Sequence, residues 1–412
     1  MDHSLLHRSH AEALDRRDVL AHARARFNIP SKLIYLDGNS LGPLPSDCAE
    51  RLTRVVEKQW GNWLISGWNR GWMAAQTEAA EKLARLLGAE PHEVVVCDST
   101  SVNLFKVAVA AARLKPDRSV IVTTDDNFPS DLYILQSAAE LLGLTVRTVD
   151  PAEVLSAIDD TVAVVSITHV DYRTGAAHDM AGITTAAHDA EAIMVWDLAH
   201  SAGVFDLKLS RLGVDLAVGC GYKYLNGGPG APAFVYANER LHDRLRQPLT
   251  GWLGHRDPFA FEAGYDPSPG VRRLVSGTPP VLATTALDAG LDTYSMVTLP
   301  MIRAKAMALT DYFIDLVDAR LAPYGLEVVS PRDPERRGAQ VSLRHDHAYE
   351  IVQAAIARNV VGDFRAPNLA RFGFAPLYVS FGDVYDAVEQ LVNVMAKAEW
   401  QMPEFAVRHG VT

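Results

Sequence analysis

Lysine is scarce in this chain, nine residues against thirty arginines, and one of the nine stands in an unusual run. Lys223 lies within Gly219-Cys220-Gly221-Tyr222-Lys223-Tyr224-Leu225-Asn226-Gly227-Gly228, directly after an apolar stretch of strand character. A lysine at the end of a buried strand has its ammonium form disfavoured, the condition for an amine that attacks a carbonyl carbon. The bland alternative is a lysine that snorkels to water. The flanking glycines weigh against it, because they let backbone and ligand come close. A second group is Asp197, which follows another apolar run and opens Asp197-Leu198-Ala199-His200-Ser201-Ala202-Gly203. A carboxylate at a buried strand end is costly unless a cation or hydrogen-bond donors meet it, and a protonated heterocyclic nitrogen would serve. His200 by itself reads as a satisfied core histidine; its spacing from Asp197 puts it on the same turn.

Two further runs complete a pattern. Asp98-Ser99-Thr100-Ser101-Val102-Asn103 offers hydroxyls and backbone amides at the start of a helix, a seat for phosphate, although alone it reads as a plain cap. Asp125-Asp126-Asn127-Phe128-Pro129-Ser130-Asp131 adds an aromatic face and acids after a third apolar run. An amine for an aldehyde, a carboxylate for a ring nitrogen, an aromatic surface and a phosphate seat are what pyridoxal phosphate requires of a protein. Simpler motifs drop out. Tyr224 stands where GxGxxG needs its third glycine, and neither GxxxxGK[ST] nor HExxH occurs. His345-Asp346-His347 lacks a further ligand at metal spacing and reads as a surface strand end, so no metal is expected.

The elements that must position these groups can be read from periodicity. Short β-branched runs at Val94–Cys97, Val120–Thr123, Thr145–Val149, Val162–Thr168, Ala192–Trp196, Leu216–Cys220 and Ala233–Tyr236, several of them apolar at successive positions, alternate with Ala/Leu-rich helical stretches. This predicts an α/β fold in which a mostly parallel sheet is covered by helices on both faces. Ligands of such sheets bind beyond the carboxyl ends of the strands, where the polar runs above fall. Cys48–Ser66 and Ala74–Leu87 read as helices ahead of the sheet. After Pro300 come a helix over Met301–Leu321, strands at Leu326–Ser330 and Gln340–Arg344, and helices near Ala348–Arg358 and from Val384 to about Ala398: a smaller α+β domain. The expected division is residues 1–50 as an N-terminal segment joining the small domain, 51–300 as the large domain and 301–412 as the small one. The Gly/Pro-rich span 248–280 is too long for a simple turn, and loops of that size are often functional.

Composition excludes other classes. With 412 residues, 48% hydrophobic and 22% charged, the chain is an ordinary globular protein, neither disordered nor fibrous. A formal charge of −11 argues against nucleic acid and acidic membranes as partners. Three scattered cysteines, Cys48, Cys97 and Cys220, build neither a disulfide framework nor a CxxC site, which points to a reducing compartment. The first ten residues lack the apolar core of a signal peptide and no run of eighteen apolar residues occurs, so the expected location is cytoplasmic.

Taken along the whole chain, the sequence resembles the kynureninase family, pyridoxal phosphate enzymes of fold type I. The resemblance rests on Tyr35-Leu36-Asp37-Gly38-Asn39-Ser40-Leu41-Gly42, Asn127-Phe128-Pro129-Ser130-Asp131, Trp196-Asp197-Leu198-Ala199-His200, Gly221-Tyr222-Lys223-Tyr224 and Phe364-Arg365-Ala366-Pro367-Asn368. It implies that Lys223 carries the cofactor, that Asp197 pairs with its ring nitrogen with Asp131 nearby, and that Phe128 stacks on the ring. Thr100, Ser101, Pro129, Ser130, Thr168, Tyr222 and His200 would surround it, with Trp252 and Thr278 supplied by the other subunit of a homodimer. Arg371 would hold the substrate carboxylate, a role that suits a bidentate guanidinium, with Asn39, Ser40, Trp63 and Gly277 also on the substrate side. For Arg371 the competing reading is a surface ion pair.

The implied reaction is hydrolysis of L-kynurenine to anthranilate and L-alanine in tryptophan breakdown, with Tyr222 as a proton donor in the later steps. Trp63, Gly277 and Thr278 resemble the bacterial, kynurenine-preferring form; the animal form has a histidine and Ser-Asn at those places. The rival within the fold is a cysteine desulfurase or aminotransferase. A desulfurase needs a mobile nucleophilic cysteine, and all three cysteines fall at a helix start or strand ends. A non-catalytic relative would be expected to lose the lysine or the aspartate, and a nicotinamide dehydrogenase is weakened by the failed glycine pattern.

Overall fold

The computed structural model describes residues 6–408; residues 1–5, half of the N-terminal stretch read above for a signal, lie outside them. The chain forms two compact units. The larger comprises Asp47–Asp171 and His178–Asp292, the smaller Met1–Ser46, Tyr172–Ala177 and Thr293–Thr412. These bounds sit close to the expected 50/51 and 300/301 divisions but give six residues, Tyr172–Ala177, to the smaller unit. The sequence reading left those six in the larger one. No helix among the described residues is long and apolar enough to cross a membrane.

The larger unit is built on a seven-stranded sheet: β1 Val94–Val96, β2 Val120–Thr124, β3 Thr145–Val149, β4 Val162–Thr168, β5 Ile193–Asp197, β6 Leu216–Gly219 and β7 Phe234–Ala237. Their order is β1-β7-β6-β5-β4-β2-β3, and the run from β3 to β6 is parallel, with β7 antiparallel to both β6 and β1. β4 and β5 are buried at every position, which is why they read as unbroken apolar runs and not as alternating ones. The edge strand β3 is partly exposed throughout. From β2 the chain goes outward to β3 and then returns to lay β4 on the other flank of β2. That reversal opens a crevice at the carboxyl ends of β2 and β4, the place where doubly wound sheets bind ligands.

One expected helix is not regular. Over Cys48–Ser66 the α-helix stops at Arg54, a wider π-type turn follows over Val55–Trp60, and a 3₁₀ stretch runs from Leu64 to Arg70. Leu64 has φ of 50°. Trp60, Leu64 and Ile65 are exposed, so no buried face holds this segment in α geometry.

In the smaller unit β8 Glu327–Val328, β9 Gln340–Arg344, β10 Asp363–Arg365 and β11 Leu369–Gly373 make an antiparallel sheet in the order β10-β11-β9-β8. Helix Leu299–Arg320 covers it, with the Phe313 ring 5.5 Å from Phe372 and 4.9 Å from Phe374. Ile34–Tyr35 pairs in parallel with Val360–Val361, and the Gly373 amide donates to the Leu36 carbonyl at 2.7 Å. That pairing lays Asp37-Gly38-Asn39-Ser40 beside β10 and β11.

Candidate active site

The strand ends of the larger unit present the polar runs together. After β6 the chain makes a tight loop: the Gly227 amide donates to the Gly221 carbonyl at 2.9 Å, and Asn226, at φ 58°, donates to the Lys223 carbonyl at 2.9 Å. At Gly221 a Cβ would come within 2.4 Å of the Pro232 carbonyl oxygen, so only glycine fits there. The loop offers Lys223 half-buried, open on one side and not sealed in the core as its sequence context implied. Its Nζ lies 3.3 Å from His200 Nε2 and 5.9 Å from the ring centroids of both Phe128 and Tyr222.

Asp197 is buried at the end of β5, and its Oδ1 accepts the Ala199 amide at 2.7 Å. Asp131, also buried, lies on the first turn of helix Pro129–Leu142 and hydrogen-bonds to it. Burial first, then the Asp197 charge, pushes the Asp131 carboxyl well above the usual range. Burial also raises Asp197, opposed first by the Lys223 ammonium. Two carboxyls this close do not both ionise. Asp131 therefore keeps the proton and donates it towards Asp197, which faces the lysine as the charged member. Burial holds the Tyr222 phenol protonated, next to Cys220.

Asn127 ties these strand ends together, a role its sequence position did not reveal. Its side-chain nitrogen donates to Thr123 Oγ1 at 3.0 Å, and its side-chain oxygen accepts from the Phe128 amide at 2.7 Å and from the Thr168 hydroxyl. After β1, Ser99 caps helix Thr100–Arg113 by accepting from the Val102 amide at 3.4 Å, leaving Thr100 and Ser101 partly exposed on the first turn. Beneath it, fully buried Lys106 pairs with Asp98 and donates to the Leu274 carbonyl at 2.6 Å. Asp98 is held at φ 47°. The sequence carried no sign of this anchor beyond a lysine inside an apolar helix.

The structure does not gather every expected residue around Lys223. Trp252, Gly277 and Thr278 lie exposed on the long loop, Trp63 is half-buried beneath the Arg70 guanidinium, and none hydrogen-bonds to Lys223 among the described residues. In the smaller unit Asn39, Ser40 and Arg371 do come together. Arg371 is 1% exposed, so it is no surface ion pair. Its Nε donates to Asp363 Oδ1 at 2.8 Å, Nη2 to Asp363 Oδ2 and to Ser40 Oγ at 2.9 Å, and Nη1 to the Tyr172 carbonyl at 2.6 Å. With its carbonyl oxygen turned towards the guanidinium, Asn39 accepts from Arg371 Nε at 2.9 Å.

The chain is 47% identical over 408 residues to a kynureninase of Pseudomonas fluorescens, covering 97% of this chain and 98% of that one. It is 51% identical over 395 residues to a kynureninase of Deinococcus radiodurans, covering 94% and 96%. The chain belongs to the kynureninase family. Residues 302–391 match the kynureninase C-terminal domain, and residues 46–210 match the DegT/DnrJ/EryC1/StrS aminotransferase family. Among solved structures, a cysteine desulfurase of Thermococcus onnurineus superposes with a TM-score of 0.78 at 21% identity, covering 92% of this chain and 98% of that one. A variant of C-DES with glycine covalently linked to its pyridoxal phosphate gives 0.78 at 18%, covering 90% and 99%. These two share the fold of the kynureninases, a fold-type-I architecture. A desulfurase cysteine is missing here, because Cys48, Cys97 and Cys220 are all buried.

The residues present fit the cofactor of that fold. Lys223 is the only amine beside the Asp197–Asp131 pair among the described residues, the Phe128 face is 40% exposed, and the buried charge on Asp197 calls for a cationic partner.

Proposed function

We propose that the protein hydrolyses L-kynurenine to anthranilate and L-alanine with pyridoxal phosphate bound in the larger unit. The observation that carries this reading is the placement of the Lys223 amine beside the charged Asp197 of a buried carboxyl pair, at the strand ends of a kynureninase-family chain. Lys223 is the point of covalent attachment. Bound there, the cofactor supplies a cationic ring that draws off the electron pair left at the substrate Cα. Asp197 holds the proton on the ring nitrogen, Asp131 keeps Asp197 oriented, and Phe128 covers one ring face. Thr100 and Ser101, with helix Thr100–Arg113 behind them, receive the phosphate.

Once freed, the Lys223 amine removes the Cα proton, with His200 Nε2 3.3 Å away to share it. Water adds to the γ-carbonyl of the substrate, and the Cβ–Cγ bond breaks as that hydrate collapses to the carboxyl of anthranilate, leaving the electron pair on Cβ to be protonated as the methyl of L-alanine. The Tyr222 phenol, protonated at any physiological pH, is the proton donor. The Arg371 cluster of the smaller unit takes the substrate carboxylate. Trp63 and Gly277 supply no polar group for a 3-hydroxyl, so kcat/KM for L-kynurenine is expected to exceed that for 3-hydroxy-L-kynurenine by at least about tenfold. Comparable values for the two substrates would overturn that preference.

A homodimer completes the reading. Trp252 and Thr278 would reach the partner's cofactor, and Phe259, Phe261 and Ile65 form an exposed apolar set on the same unit, the last two at 80% and 81% exposure. The test of the reaction is direct: holoenzyme is mixed with L-kynurenine and anthranilate fluorescence and alanine are followed. Equal release of both products, abolished in Lys223→Ala, is expected. A spectral response without products would move the protein to another reaction of the fold.

A further inference from the structure

In the larger sheet β1 is an edge strand, with β7 as its one neighbour. Helix Trp72–Leu87 covers the free edge, where Gln76 Nε2 donates to the Val96 carbonyl at 2.9 Å. Between that helix, the start of β1 and the long loop lies a cavity of about 380 Å³, a size that holds small molecules. Met73, Val94, Leu253, Val271 and Val275 give it apolar walls. Its polar lining is Gln76, Thr77, His92 and Arg272, with no acidic side chain.

Of the two ionisable groups, His92 is turned to Glu239 at 2.9 Å. Arg272 is exposed at the mouth, and its one acceptor among the described residues is the Leu253 carbonyl, 3.4 Å from Nε. It forms no ion pair there. Its neighbour Arg273 is buried and pairs only with exposed Asp243, at 3.6 Å; burial, then the Arg246 charge, disfavours its cation. The cavity is thus apolar inside and cationic at the mouth, complementary to an apolar body that ends in a carboxylate, which a guanidinium fork meets with two hydrogen bonds. It is also apart from the catalytic strand ends. β1 and β6 are both antiparallel to β7 and so run the same way, which puts Val94 at the amino end of β1 and Thr100 and Ser101 beyond its carboxyl end.

We propose that this cavity is a second ligand site, for a small monocarboxylate with an apolar body, held through Arg272. Anthranilate belongs to that class. The wall at Val275 continues directly into Gly277 and Thr278, so a bound acid would brace that part of the loop. Binding itself does not depend on the reaction proposed above.

The test titrates holoenzyme with benzoate and with benzamide, which share the ring and differ in charge, by calorimetry. One benzoate per chain is expected, with a dissociation constant on the order of 0.1–1 mM, at least about tenfold below that of benzamide, and with the cofactor absorbance unchanged. In Arg272→Gln the preference for benzoate is expected to shrink to within about twofold, and Arg272→Lys to fall between. If Arg272→Gln does not hold cofactor, Thr77→Trp decides: it fills the mouth from the exposed face of the helix and is expected to weaken benzoate about tenfold or more. No binding to the unaltered holoenzyme, or a benzoate preference that survives both variants, would overturn the proposal. Benzoate held at the catalytic site instead would shift the cofactor absorbance and ignore both substitutions. Anthranilate release from L-kynurenine is not the readout, so the site and the reaction can fail separately.

Discussion

Asp37 is an acid that folding makes weaker. Its carboxyl is raised from 3.8 to about 8, with Tyr35, Asp363, Arg365, Arg371 and Ser40 facing it. The stability it contributes is fully present below its unfolded value near 3.8 and is lost as pH rises towards about 8. Above that, its new charge also offsets the Arg371 guanidinium proposed to receive the substrate carboxylate. KM for L-kynurenine is therefore expected to climb above pH 8, and Asp37→Asn to flatten that rise with little change in kcat; an unaltered pH profile of KM in the variant would contradict it. At this scale the sequence was informative where chemistry demands rare residue types, as at Lys223 and Asp197. It was silent where a role arises from pairing. That Arg371 is bound by Asp363 follows from the register of β10 against β11, which sets Asp363 opposite Arg371, and no spacing in the chain announces it.

Elements decide how firmly these residues are held. The turn from β1 into helix Thr100–Arg113 carries the left-handed Asp98, and Lys106 clamps it to the long loop at Leu274. Lys106→Met would leave Asp98 without its cation and the Leu274 carbonyl without a donor. A loss of about 3 kcal/mol in urea unfolding is expected, together with weaker retention of the cofactor. The first readout alone, with cofactor affinity intact, would show the clamp to be structural only. The strands of the larger sheet were legible to within a residue or two, most plainly where burial on both faces writes itself as a continuous apolar run, as in β4; Asp363–Arg365 and Leu369–Gly373 of the smaller sheet were not foreseen. The segment after Arg54 does not continue the helix expected over Cys48–Ser66, and four of its apolar residues, Val56, Trp60, Leu64 and Ile65, are exposed.

For the whole molecule, a shared site in a homodimer makes a sharp prediction. If Lys223 and Trp252 serve one site from two subunits, Lys223→Ala and Trp252→Ala proteins, each inactive, regain activity when mixed and allowed to exchange. Hybrid dimers restore one of their two sites, so about a quarter of the wild-type rate is expected at equal mixing. No recovery would mean that both residues act within one chain. The 248–280 span was read as a long loop from Gly and Pro content alone, and exposed aromatic residues lie on it, whereas the crossing of Tyr172–Ala177 into the smaller unit was not foreseen. That segment has neither the length nor the pattern of an element. It is recruited through its backbone: Ser330, Gln340 and Ser342 donate to the carbonyls of Thr174, Tyr172 and Arg173, and the Gly338 amide donates to Gly175.

That crossing also orders events during synthesis. Tyr172–Ala177 leaves the ribosome roughly 160 residues before β9, the strand that receives it, which at ~5–20 residues per second is a wait of about 10–30 s. By then the last residue of the larger unit, Asp292, has been made. The nascent chain thus carries a near-complete sheet with one short backbone stretch whose carbonyls still await Ser330, Gln340 and Ser342.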